Sequence, residues 1–106
     1  MEHERYQKIF KSLLKKHDNA EAGKMFGKEC LKVNGKAFAA FHQKMMVFKI
    51  SDMAHEKAMS LNGSKLWDPS GRKRPMKEWV QVPFAYEKLW SKFAMSALDY
   101  VKKSNR

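Results

Sequence analysis

Met25-Phe26-Gly27-Lys28-Glu29-Cys30-Leu31-Lys32-Val33-Asn34-Gly35-Lys36-Ala37-Phe38-Ala39-Ala40-Phe41 decides the fold, because a side-chain period of two runs into and out of one Asn-Gly pair. Asn34-Gly35 readily takes positive φ at both central positions of a two-residue hairpin turn, whose twist matches that of the flanking strands. The pattern predicts a strand over 25–33 and its antiparallel return over 36–41, with Leu31 opposite Phe38 and Cys30 opposite Ala39. A polar His42-Gln43-Lys44 turn then leads to Met45-Met46-Val47-Phe48-Lys49-Ile50, a third strand that completes a meander.

In that register both sheet faces are apolar. Leu31, Val33, Phe38, Ala40 and Val47 share one face, and Cys30, Ala37, Ala39, Phe41, Met46, Phe48 and Ile50 share the other. An antiparallel sheet usually leaves one face to water, so this one needs a second covering layer. Two arrangements supply it. Either the face of Phe41, Met46 and Phe48 is a contact surface for a second copy or another protein, or the last helix wraps round and buries it.

Before the meander, Tyr6, Ile9, Phe10, Leu13 and Leu14 recur at helical spacing and predict an amphipathic helix over 5–17. After it, Ser51 or Asp52 caps a short helix over 53–61, ended by Asn62-Gly63. Leu66-Trp67 is a short extended piece before the turn Asp68-Pro69-Ser70-Gly71, and the alternation over 76–82 predicts the last strand. Pro83 precedes a final helix whose stripe is Tyr86, Leu89, Trp90, Phe93, Ala97, Leu98 and Val101. The expected architecture is α+β, in the order α-β(3)-α-β(2)-α, with helices packed on a mainly antiparallel sheet.

The 106 residues suit a single domain spanning residues 1–106. No run approaches the ~18 apolar residues that identify a membrane helix. A charged start without a secretory-type apolar stretch, and a single cysteine, lead us to expect a cytoplasmic protein without disulfides. Against 22 Lys and Arg stand 11 Asp and Glu, a net charge of +11 that raises the question of an acidic partner. The basic residues concentrate at Lys8, Lys11, Lys15 and Lys16, and again at Arg72, Lys73, Arg74 and Lys77.

Lys24-Met25-Phe26-Gly27, Val33-Asn34-Gly35-Lys36, Phe38-Ala39, Phe48-Lys49, Met76, Trp79, Val82-Pro83, Leu89-Trp90 and Ala97 follow one another in an order and spacing that resembles the TfoX N-terminal domain family, named after a bacterial competence regulator. The resemblance runs from Lys24 to Tyr100. It implies a fold similar to type III secretion chaperones and a regulatory or protein-interaction role without known enzyme activity or cofactor. Lys28 departs from the second glycine that many members carry. The C-terminal domain of the full-length regulator has no counterpart in this sequence, so a role in competence is not carried over.

Catalytic readings fail on spacing. Cys30 and His42 would be a nucleophile and base, but three positions along neighbouring strands at ~3.3 Å each exceed hydrogen-bond reach. His3, His17, His42 and His55 never recur at i+3 or i+4, which argues against a metal site. No phosphate-cradling glycine loop is present, and no cofactor is expected. Two classes remain. One is a non-enzymatic interaction module, expected to be a homodimer or to hold a protein partner through Phe41, Met46 and Phe48. The other is an electrostatic nucleic-acid binder using Arg72, Lys73, Arg74 and Lys77, with Trp67, Trp79, Trp90, Phe84 and Tyr86 as a stacking platform.

Overall fold

A computed structural model of the chain describes residues 1–104. Helix α1 (Glu2–Lys16) leads into four consecutive strands, β1 (Ala20–Met25), β2 (Lys28–Val33), β3 (Lys36–His42) and β4 (Met45–Lys49). Helix α2 (Asp52–Ser60), β5 (Lys65–Trp67), β6 (Met76–Val82), a 3-10 turn at Phe84–Tyr86 and α3 (Glu87–Ser104) follow. All six strands join one antiparallel sheet in the order β1-β2-β3-β4-β6-β5. The fold is α+β, with its helices packed on that sheet.

The meander has four strands where the sequence pattern predicts three. The stretch 25–33 is not one strand, because Phe26 (φ 53°) and Gly27 (φ 75°) both take the left-handed conformation and turn the chain back at Lys28. The added strand, Ala20–Met25, carries glycine, alanine and glutamate and buries only Ala20, so it shows little apolar alternation. Asn34-Gly35 makes the expected hairpin, with Val33 opposite Lys36 and Lys32 opposite Ala37. A third two-residue turn closes at Gln43 (φ 53°) and Lys44 (φ 63°), joining His42 to Met45. The three turns thus share one type, in which positive φ at both central residues matches the strand twist.

A bulge corrects the expected register. Beyond Lys32 opposite Ala37, the pairing resumes as Leu31 opposite Ala39 and Cys30 opposite Ala40, so Phe38 is the extra residue. The one-residue shift reassigns the faces. Leu31 and Val33 join Phe38, Ala39, Met46, Phe48, Ile50, Val80 and Val82 in the core beneath the helices. Helix α3 lies over β3 and β4 and supplies Trp90, Phe93, Ala97, Leu98 and Val101, while α1 adds Tyr6, Ile9 and Leu13.

This placement corrects the proposed contact surface. Met46 and Phe48 are fully buried, with the Phe48 ring 5.7 Å from that of Phe93 on α3. Phe41 is half-buried against Tyr6 of α1, at 5.2 Å between ring centres. The last helix covers Met46 and Phe48, which present nothing to a second molecule, while α1 covers part of Phe41. The opposite face buries Cys30, Ala40, Val47, Trp67 and Trp79 in a second, smaller core that no helix covers.

The left-handed conformation at Gln43 and Lys44 carries a steric cost that Asn and Gly avoid. Replacing the pair together, Gln43→Asn with Lys44→Gly, is expected to raise stability by ~1 kcal/mol. Urea unfolding with an unchanged m-value would register it; an unchanged or lower midpoint would contradict the assigned turn.

Candidate functional site

Alternation along the strands brings a defined set of side chains to the helix-free face. Cross-strand partners share a face, so Gly23, Cys30, Ala40, Val47, Gln81 and Lys65 form one row across the whole sheet. Lys28 and His42 lie two residues beyond Cys30 and Ala40, in the next row. On the other side come Lys32, Lys49 and Trp79, with Lys77 two residues beyond Trp79. The row centre is small or slender, which leaves room above it for two indoles.

Trp67 fills that room. It stands on edge strand β5, three strands from β3, a separation of ~14 Å in a flat sheet. Its Nε1–H nevertheless donates to His42 Nδ1 at 2.6 Å. The sheet therefore curls inward on this side, and the Trp67 ring packs 5.2 Å from Trp79 as a roof over Ala40 and Val47. Phe26, at the tip of the β1–β2 turn, reaches the same indole edge-on at 6.1 Å. Below the roof, buried Gln81 donates to the His42 carbonyl oxygen at 3.2 Å, tying β6 to the end of β3.

The bond from Trp67 makes His42 Nδ1 an acceptor, so the neutral ring carries its proton on Nε2. Partial burial pushes the His42 pKa below its ordinary value, and Lys28 and then Lys65 push it the same way. The mouth of the curl is thus electropositive without a charged histidine. Cys30 is completely buried, and burial raises its thiol pKa, so it stays protonated. With His42 Nδ1 held by Trp67, no nucleophile-and-base pair forms.

Loop 68–75 closes the mouth. Asp68 accepts at Oδ1 from the Ser70 hydroxyl at 2.9 Å and from the Gly71 amide at 3.1 Å. The Ser70 hydroxyl holds the Asp68 carboxyl below its usual range, helped by the amides of Lys73, Arg74 and Gly71. That carboxylate is consumed inside its own loop. Arg72, Lys73 and Arg74 consequently project outward, all exposed. Arg74 joins Phe26, Pro69, Ser70 and Met76 around a cleft of about 290 Å³.

Of the four basic residues singled out by sequence, only Arg74 lines this cleft; exposed Lys77 sits on β6, where its carbonyl oxygen accepts from His55 Nε2 at 2.8 Å. Sequence reasoning passed over Lys28, Lys65 and Phe26, which the curl brings to the same mouth. The expected stacking platform is corrected. Trp67 and Trp90 are fully buried and Trp79 is 5% exposed, whereas Phe26 is 62% exposed.

Charges are unevenly engaged. Among the described residues, the ion pairs use the Met1 amino group and Arg5, His3 Nε2 lies 2.7 Å from a Glu29 carboxylate oxygen, and no lysine comes within 4.0 Å of a carboxylate. Glu29 pairs with His3, Glu87 with Arg5, and Glu78 accepts from the Tyr100 hydroxyl, all on the helix side. The helix-free face and its loop carry only Glu21 and the self-engaged Asp68 against Lys28, Lys32, Lys49, Lys65, Lys77 and Arg72–Arg74.

Two measurements test this geometry. Trp67→Phe keeps the apolar roof but strips the donor from His42, and is expected to cost ~1–3 kcal/mol in urea unfolding; a neutral result would mean the bond contributes nothing. A histidine whose folded pKa lies below its unfolded value binds fewer protons folded than unfolded. Its stabilisation is complete above about 6.5 and declines as pH falls through that value toward the folded pKa. The urea midpoint should therefore drop between about pH 7.5 and pH 5, and His42→Gln should flatten that slope. An equally steep slope in the variant would assign the effect elsewhere.

Comparison of the chain with protein-family models, with curated proteins and with solved structures finds no match.

Proposed function

We propose that the chain is a non-enzymatic binding module for nucleic acid, held by the helix-free face and the 68–75 loop. One observation carries the reading: Lys28, Lys32, Lys49, Lys65 and Lys77 share that face and its loop with Arg72–Arg74, against no carboxylates but Glu21 and the loop-bound Asp68. Unpaired cations lining one concave surface are what a phosphate backbone neutralises, releasing counterions as it does so. Met46 and Phe48 are fully buried and supply no contact for a second copy. The likeness of residues 24–100 to the TfoX N-terminal domain family belongs to this proposal as well, because a regulatory role and a nucleic-acid partner are compatible.

The proposal predicts retention of a fluorescently labelled oligonucleotide at about 50 mM salt, with log affinity falling linearly with log salt at a slope of roughly −0.7 to −0.9 per phosphate contacted. Lys28→Glu with Lys65→Glu should weaken binding at least about tenfold and flatten the slope. The same reversal at Lys92 and Lys102 on α3 should change it by less than about threefold. Equal losses from both pairs would reduce the effect to net charge, and absence of binding at low salt would remove the proposal.

A further inference from the structure

Phe26 is the feature that packing does not explain. It is a bulky residue held at φ 53°, where glycine or asparagine would sit without strain, and its ring is 62% exposed. The other exposed large apolar side chains among the described residues are Met1, Leu14, Met53 and Met59, none of them aromatic. One edge of the phenyl ring is backed by the buried Trp67 indole, so the ring is supported. Beside it lies the cleft of about 290 Å³, with Pro69 and Met76 as apolar walls and Ser70 and Arg74 as polar ones. That volume falls at the lower limit of ~300 Å³ for small-molecule sites, room for one ring system.

Resting on the nucleic-acid reading above, we propose that this cleft takes one unpaired base, stacked against Phe26 and Met76, while Arg74 meets the adjoining phosphate and Lys28 and Lys65 guide the backbone along the mouth. The partner is then single-stranded. In a duplex the base faces are covered by their neighbours, and a cleft that accepts one base edge-first gains nothing from it. An aromatic ring stacks on any base, so strand state rather than sequence is selected. The charge around the cleft suits this occupant: among the described residues that line it, Arg74 is the only charged one, and Asp68 next to it is turned into its own loop.

The test uses the full chain with a labelled thymidine oligomer and a duplex of equal length at low salt. Phe26→Asn is the informative variant, since Asn-Gly is the preferred pair for this turn and the hairpin survives loss of the ring. Wild-type protein should bind the single strand about tenfold or more tightly than the duplex. Phe26→Asn should lose about tenfold on the single strand, with unchanged duplex affinity and salt slope, and Phe26→Trp should restore the preference. If Phe26→Asn binds both forms like the wild type, the base cleft is overturned and the electrostatic reading stands. If wild-type protein binds neither form, both fall. A uniform loss on both forms would make Phe26 a structural residue and overturn the cleft.

Discussion

The bond from Trp67 Nε1–H to His42 Nδ1 is the constraint around which the helix-free half of this molecule is organised. A donor and an acceptor that begin three strands apart meet only if the sheet coils on itself. Once it coils, the face without helices no longer needs a partner layer. Trp67 and Trp79 roof the small side chains of Cys30, Ala40 and Val47, and the lysines at the ends of the same strands are swung to the edge of a concavity. Burying an indole N–H without a partner costs ~1–3 kcal/mol, a penalty that His42 removes for Trp67. The neutral imidazole follows: a proton on Nδ1 would break the bond and set a charge beside Lys28 and Lys65.

The two faces therefore divide the work of the sheet. Stability resides on the helix side, where α3 and α1 bury the large side chains and where Glu29, Glu78 and Glu87 are each engaged by a side chain from α1 or α3. The other side is held by a minimal core, and its surface charge is left unspent. Among the described residues lysines on both sides of the sheet go without a carboxylate partner, and what sets the helix-free side apart is its shortage of acids.

Most of the architecture was legible because its signals are local. Asn34-Gly35 announces its hairpin, the stripes of the first and last helices announce their buried faces, and Met76–Val82 alternates as a strand should. The first strand was not legible, since Ala20–Met25 lies at the sheet edge and buries one alanine. Nor was the bulge: Phe38 and Ala39 are both apolar, so the pattern reads equally well in either register, and the slip assigns Leu31 to the opposite face. Whether the face of Phe41, Met46 and Phe48 is an interface or a core turns instead on where the last helix packs, the second of the two arrangements the sequence allows. The site was legible in part. Arg74 belongs to a visible basic run, but Phe26, Lys28 and Lys65 come together only through the strand order β4-β6-β5 and the curl, which no local pattern encodes.

The three hairpin turns bear on how the site is held. Each needs positive φ at both central residues, and only Asn34-Gly35 supplies residues that take it without strain. Gln43-Lys44 and Phe26 occupy the same conformation against their intrinsic preference, and both lie at the end of the sheet where His42, Lys28 and the 68–75 loop converge. Relaxed turns at that end would be available to any sequence by an exchange for Asn-Gly. What the present residues add is a phenyl ring beside a cleft, backed by Trp67, and an amide, Gln43, that meets Gln81 at 3.5 Å. Strain is tolerated there because the paired strands and the Trp67 roof over-determine the turn geometry, and side chains so placed are free to face a ligand rather than the core.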